Sequence, residues 1–279
     1  MSEPTEISGI SKLIDTFDVF FLDQFGVLHD GTKPYARAVE CLSFLKAAGK
    51  TTVLISNSGK RAAENEKRLV ALGFEPGSWD VFLSSGEVAW QMFAKGDVFP
   101  AGTRCYLISR DSDNSAIEGL SLVRMSKAEK ADVILLTASE GDRYELDHYR
   151  ESLSLAAVKG IPCYCTNPDN IMLTSQGPKF GAGRIAELYE SMGGKVTYIG
   201  KPYPAIYTAA LDAIGNPLKH RVLCVGDSLE HDITGARVSG LQSALVRTGI
   251  LSNASLAELS YQFEQHSVFP DFILPGLIW

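Results

Sequence analysis

Two aspartates, each placed just beyond a short apolar run, are the residues of this sequence best suited to chemistry. The first, Asp23, ends the run Phe20-Phe21-Leu22 and is followed by Gln24-Phe25-Gly26. A carboxylate at the carboxyl end of a buried strand sits where open α/β sheets build their sites. Such a group can attack phosphorus and form an aspartyl-phosphate; it also suits the capping of a turn. The second, Asp227, closes Leu223-Cys224-Val225-Gly226 and is followed five residues later by Asp232. Two carboxylates past one strand suit Mg²⁺, which prefers an octahedral oxygen shell with one or two carboxylates.

Two further segments supply partners for a phosphoryl group. Val53-Leu54-Ile55 runs into Ser56-Asn57-Ser58-Gly59. A serine hydroxyl and the backbone N–H groups after it can hold phosphate oxygens ahead of a helix, or can simply cap that helix. Lys60 and Arg61 follow and offer positive charge. In Gly200-Lys201-Pro202 a lysine stands between a glycine and a proline. It can neutralise an anion as a point charge, though most lysines are solvated.

These segments need elements to position them, and the pattern provides strands and helices in alternation. Strands are expected at Val19–Leu22, Thr51–Ile55, Val81–Leu83, Val196–Ile199, Val222–Val225 and Ser243–Val246. Helices are expected at Tyr35–Ala48, Arg61–Leu72, Gly86–Ala94, Ala205–Ile214 and Asp232–Val238, from apolar spacing closed by glycines. Short β-branched strands of this kind belong to a parallel sheet buried on both faces. The fold class is therefore α/β, with a doubly wound, Rossmann-like parallel sheet. The middle of the chain repeats the pattern, with strands at Arg104–Ile108, Val133–Leu136 and Pro162–Thr166 and helices at Tyr144–Val158 and Arg184–Ser191. Pro100-Ala101-Gly102 and Met192-Gly193-Gly194 read as hinges. Residues 1–99 and 195–279 are thus expected to form one core, with 100–194 an inserted α/β cap. The charged stretch 124–132 reads as a solvated helix edge.

Composition narrows the class of protein. The 279 residues are 45% apolar and can bury a substantial core. No apolar stretch reaches the roughly 18 residues of a membrane span, and Met1–Thr16 lacks the form of a signal peptide. Five scattered cysteines suit a reducing compartment, so a cytoplasmic location is expected. A net charge of −7 argues against nucleic acid as partner. Cys163 and Cys165, alternating along one strand, read as buried structural thiols.

Taken in order, the four segments resemble the haloacid dehalogenase superfamily, and the large insert between the second and third of them is similar to that of its type IIA branch. Thr166-Asn167-Pro168-Asp169 and Gly181-Ala182-Gly183 match segments typical of that branch. The resemblance covers about residues 15–250. It implies a phosphatase in which Asp23 is the nucleophile. Mg²⁺ would be held by Asp23, the backbone carbonyl of Phe25 and Asp227, with Asp232 in support. Ser56, Asn57, Ser58 and Lys201 would hold the substrate's phosphoryl oxygens. It further implies a small phosphate ester as substrate, such as a sugar phosphate or nucleotide, a cap that closes over the cleft, and a homodimer.

Phe25 is the departure. In the family this position carries a second aspartate that handles the proton. Loss of a general acid/base costs about 10²–10⁴-fold. Three outcomes stay open: another group such as His29 or Asp30 supplies the proton, the leaving group needs none, or turnover is slow. The last would leave a binding or regulatory protein that keeps the phosphate site, or a long-lived phosphoenzyme. Gln24 can hydrogen-bond there but carries no acidic proton.

Overall fold

A computed structural model describes residues 3–96, 98–174 and 177–279. Met1 and Ser2, at the head of the stretch read for a signal peptide, lie outside the described residues. The chain divides into two compact units. One comprises Met1–Ser56, Glu66–Leu83 and Lys201–Trp279, the other Asn57–Asn65 and Ser84–Gly200.

The first unit holds a seven-stranded sheet. Its strands are β1 (Thr5–Glu6), β2 (Val19–Asp23), β3 (Thr51–Ser56), β4 (Val81–Ser84), β12 (Val222–Gly226), β13 (Gln242–Val246) and β14 (Phe272–Leu274), in the order β1-β14-β13-β12-β2-β3-β4. The pairings β1–β14, β14–β13, β13–β12, β12–β2 and β2–β3 are parallel. All five residues of β2 and of β12 are buried, which is why each reads as an unbroken apolar run rather than an alternation. From β2 the chain winds outward through β3 and β4; β12, β13 and β14 wind the other way. The reversal falls between β2 and β12, and in open α/β sheets ligands bind in the crevice outside the strand ends at that point.

The helices α1 (Ala38–Ala47), α2 (Ala62–Ala71), α3 (Ser85–Ala94), α6 (Pro204–Ala213), α7 (Thr234–Val238) and α8 (Leu256–His266) accompany these strands in sequence. The expected helix at Asp232–Val238 is preceded by a widened turn at Leu229–Ile233, and only Thr234–Val238 is α-helical. The C-terminal tail also holds a helix that the apolar periodicity did not indicate. Helix α8 carries a reciprocal Ser255–Glu258 capping box, and Phe263 and Leu259 pack with Leu229, Ile233 and Leu245.

The second unit has its own five-stranded parallel sheet of β5 (Arg104–Ile108), β6 (Val123–Arg124), β7 (Val133–Leu136), β8 (Cys163–Cys165) and β11 (Val196–Tyr198), in the order β11-β8-β7-β5-β6. A hairpin of β9 (Ile171–Thr174) and β10 (Gly177–Phe180) is separate from it. Helices α4 (Leu146–Val158) and α5 (Ala182–Ser191) pack on one face around Leu153, Ala186 and Tyr189, where Cys163 and Cys165 are buried. Two expectations need correction. Val196–Tyr198 is not a strand of the first sheet, because it pairs with β8 in the second. Stretch 124–132 is not a helix edge: Arg124 ends β6, and only the single turn Ala128–Lys130 follows.

The division between units falls at 56/57, 65/66, 83/84 and 200/201, not at 99/100 and 194/195. The pairing of β11 carries residues up to Gly200 into the second unit. Residues 57–65 join it through close backbone contact: a Cβ on Gly59 would collide with the Thr137 carbonyl, and one on Gly86 with the Gly59 carbonyl. Met192-Gly193-Gly194 is the C-terminal turn of α5, with Gly194 N–H donating to the Tyr189 carbonyl, rather than a hinge.

Candidate active site

The register of the first sheet places the site. Leu22 pairs with Val225, and Asp23 pairs with Ile55. The next residues of the three strands, Asp23, Gly226-Asp227 and Ser56, therefore emerge at the same carboxyl edge, at the reversal of strand order.

Lys201 lies at the centre of the charges there. Its ammonium donates to Asp23 Oδ1 at 2.6 Å and to Asp232 Oδ1 at 2.6 Å, with all three side chains buried. Asp232 Oδ2 accepts from the Ser228 backbone N–H at 3.1 Å, which fixes the far side of that carboxylate. Asp227 Oδ2 accepts from Ile250 N–H at 2.9 Å. One carboxylate oxygen from each of Asp23, Asp227 and Asp232 lies within 4.8 Å of the others. Three carboxylates thus share one ammonium in a buried place. Burial, with the negative charges of Asp232 and Asp227 added, holds the Asp23 carboxyl well above its ordinary range against the pull of Lys201. Burial and then Asp232 push Asp227 up to about 7. Burial pulls the Lys201 ammonium down, but Asp23 and Asp232 outweigh it and hold it above its ordinary value. An excess of hard oxygen donors short of positive charge fits a hard divalent cation.

The turn after Asp23 is built by side chains from elsewhere. Gly26 has φ +92°, and a Cβ there would collide with the Asp227 carboxylate. Only glycine adopts this conformation readily, and only glycine leaves room for Asp227. Thr248 Oγ1 donates to the Gly26 carbonyl at 2.6 Å. The segment Thr248-Gly249-Ile250 thus braces both aspartate turns. Nothing in its local sequence marks it, since its role comes from the position of β13 beside β12. Gln24 Nε2 donates to Ser56 Oγ at 2.5 Å, which joins the ends of β2 and β3.

The structure brings Asp23, Ser56, Lys201, Asp227 and Asp232 together within the first unit. Asn57 and Ser58 fall in the second: Asn57 Nδ2 donates to Asp169 Oδ1 at 2.7 Å, and Ser58 Oγ accepts from Lys60 N–H at 3.3 Å. Capping of α2 falls to Glu87, whose carboxylate accepts from Ala62 N–H. Arg61 pairs with the same Glu87 at 2.6 Å and stacks 3.8 Å over the Trp90 ring. Its charge is spent inside the second unit.

Phe25 turns its ring onto the following loop. The ring meets His29 edge to face at 5.5 Å, packs against Gly31 and stays 40% exposed. Both suggested substitute acids have partners within their own turn. His29 is fully buried, its Nδ1 accepts from Gly31 N–H at 3.0 Å, and burial followed by Arg68 lowers it to about 4. Asp30 Oδ1 accepts from Thr32 N–H, Thr32 Oγ1 and Lys33 N–H, a turn-forming use that brings it down to about 2.

Comparison with known proteins agrees with this geometry. A family model for haloacid dehalogenase-like hydrolases matches residues 20–123, and a second model for the same kind of hydrolase matches 198–274. Between them they cover well over half of the chain. The chain is 27% identical over 279 residues to the sugar-phosphatase AraL of Bacillus subtilis, covering 99% of this chain and 93% of that protein. A haloacid dehalogenase-like hydrolase from Brucella suis superposes with a TM-score of 0.82 at 26% identity, covering 98% of this chain and 100% of the other. The p-nitrophenyl phosphatase of Archaeoglobus fulgidus superposes at 0.77 with 25% identity, covering 94% and 97%. The chain belongs to the haloacid dehalogenase-like hydrolases. Within them it is a phosphatase-like hydrolase of the type IIA branch.

Proposed function

We propose that this protein is a Mg²⁺-dependent phosphomonoester hydrolase that works through a phosphoaspartate on Asp23. The observation that carries this reading is Lys201, bridging Asp23 and Asp232 at 2.6 Å each with Asp227 in the same buried cluster. In this reading Asp23, Asp227 and the backbone carbonyl of Phe25 would hold the cation, and Asp232 would steady Lys201 and the metal. The bound cation supplies charge that neutralises phosphoryl oxygens. Ser56, Asn57, Ser58 and Lys201 are assigned to those oxygens. Lys201 also neutralises Asp23 as it approaches an anionic ester, so catalysis is positioning plus charge balance.

The substrate proposed is a small phosphorylated metabolite, a sugar phosphate or nucleotide-like ester; the likeness to a sugar-phosphatase supports the former. The five cysteines are all buried and free, which supports a reducing, cytoplasmic setting. No helix among the described residues is long and apolar enough to cross a membrane. A homodimer is proposed from the family resemblance, and light scattering checks it.

Phe25 favours one other reading, a weakly active or inactive phosphate-ester binding protein with a regulatory role. Initial rates on p-nitrophenyl phosphate and a sugar phosphate, with Mg²⁺ and with chelator, separate the two. The hydrolase reading expects Mg²⁺-dependent turnover that Asp23→Asn abolishes on every substrate. Phosphate binding with no turnover at high Mg²⁺ would sink it in favour of the binding protein.

A further inference from the structure

The loop that follows the nucleophile carries a hydrocarbon ring, Phe25, where the family places its acid and base. Among the described residues of the first unit, the groups on this loop and beside Asp23 are poorly suited to stand in for that acid. Gln24 gives its amide to Ser56, and an amide is neither acid nor base near neutrality. Phe25 is a hydrocarbon ring laid against His29 and Gly31. The His29 ring is fully buried, with Nδ1 taken by Gly31 N–H, so it is closed to substrate and to water. Asp30 gives its Oδ1 to three donors of its own turn, which ties that carboxylate to the turn. The Tyr35 hydroxyl is engaged by the Gly249 backbone, and a phenol keeps its proton at neutral pH. Asp232 is held by Lys201 and Ser228 N–H, and Asp227 by Ile250 N–H. What remains is a nucleophile and charge neutralisation without proton transfer.

That asymmetry acts differently on the two halves of the reaction. In the first half an Asp23 carboxylate oxygen bonds to phosphorus, the ester P–O bond breaks, and its electron pair leaves on the departing oxygen. An aryl or acyl leaving group departs as a stable anion and needs no proton. A primary alcohol departs as an alkoxide unless an acid protonates it. The anomeric hydroxyl of a sugar, being more acidic, lies between. In the second half a water oxygen bonds to phosphorus, the bond from phosphorus to Asp23 breaks, and Asp23 is regenerated. The water's protons pass to inorganic phosphate and solvent. This half gains nothing from the leaving group, and a missing base slows it for every substrate, by about 10²–10⁴-fold.

Resting on the phosphoaspartate reading above, we infer that this site is selective for phosphoryl groups on acidic leaving oxygens — acyl, aryl and anomeric — and that its Asp23 phosphoenzyme accumulates during turnover of them. Phe25 sets both properties through what it lacks.

The test is rapid quench of the full-length protein with Mg²⁺ and p-nitrophenyl phosphate, acetyl phosphate, glucose 1-phosphate or glucose 6-phosphate. The expected result with p-nitrophenyl phosphate is a burst of p-nitrophenolate approaching one per chain, followed by a slow steady rate. Acid-quenched samples should carry one added phosphoryl group by intact mass, located on Asp23 after digestion. Acetyl phosphate should give the same adduct, glucose 1-phosphate less, and glucose 6-phosphate none. Phe25→Asp should remove the burst and raise the steady rate by about 10²–10⁴-fold, whereas Phe25→Asn, of similar size but without the acid, should keep it. Phe25 is partly exposed, so neither change threatens folding. Steady turnover with neither burst nor adduct overturns the inference, because a base outside this loop must then serve the water. If Asp23→Asn is inactive in that case, the phosphoaspartate reading survives alone. If Asp23→Asn still turns over, both fall. An adduct of equal size from glucose 6-phosphate overturns the selectivity.

Discussion

Lys201 is the residue on which the charge balance of the first unit turns. It is one buried cation against three buried carboxylates, two of them at hydrogen-bond distance. Removing one partner of a buried ion pair costs about 3–5 kcal/mol, because the remaining charges stay desolvated. Lys201→Met is therefore expected to destabilise the metal-free protein by about 3–5 kcal/mol in urea unfolding at neutral pH. The double change Lys201→Met with Asp232→Asn should recover part of that loss, since it removes one orphaned charge. A Lys201→Met protein as stable as the parent would show that the cluster is hydrated rather than held by the lysine. Phe25 makes the opposite point. Its identity is plain in the sequence, yet whether a neighbour compensates for it depended on where His29 and Asp30 point.

Among the elements, β2 and β12 matter because β2 ends in Asp23, β12 runs directly into Asp227, and the two are paired in register, Val225 beside Leu22. Their apolar runs declared them, with Gly26 shortly past the first and Gly226 closing the second. Helix α8 shows where such reading fails. Its Ser255 side chain accepts from Glu258 N–H, and the Glu258 carboxylate accepts from Ser255 N–H at 2.7 Å. This reciprocal cap is written as Ser-x-x-Glu, but the sequence around it is polar enough to hide the helix. Ser255→Ala should cost about 1 kcal/mol, and Glu258→Gln, which keeps the hydrogen bond, distinctly less. Equal stability of Ser255→Ala and the parent by thermal unfolding would mean that the cap frays in solution.

At the scale of the molecule, acid and metal should act on different charges. Asp18, Asp132 and Asp142 each lie at about 2, held there chiefly by side-chain hydrogen bonds from Arg221, Arg104 and Arg110. Their folded values lie below the unfolded value of about 3.9. The stability they lend is therefore complete above about pH 4 and is lost as pH falls through about 2. Asp18 and Asp132 are exposed and Asp142 is half-buried, so raising salt to about 1 M, where the Debye length is about 3 Å, should blunt that acid sensitivity, least at Asp142. An acid limb unmoved by salt would point to buried groups instead. Mg²⁺ should stabilise at neutral pH by mass action, by about 2.7 kcal/mol at a hundred times its dissociation constant. Asp227→Asn should cancel this gain, and Asp18→Asn should leave it intact. Stabilisation by Mg²⁺ that persists in Asp227→Asn would place the ion elsewhere.

The sequence by itself determined the α/β class, the strands that carry Asp23, Ser56 and Asp227, and the chemical character of the site. It could do so because a buried parallel strand must be apolar throughout, and a functional side chain at its end must interrupt that run. Membership of Val196–Tyr198 in the second sheet was decided only by the tertiary structure, since an apolar strand reads the same in either sheet and pairing partners leave no local mark. The same holds for Arg61, a cation beside a phosphate-binding motif in sequence but bound to Glu87 and Trp90 in space. It holds also for Thr248 and Ile250, which brace the aspartate turns from a turn just past β13, more than 200 residues after Gly26. Local patterns fix what a residue can do; the distances that give it a partner are fixed by which strands lie side by side.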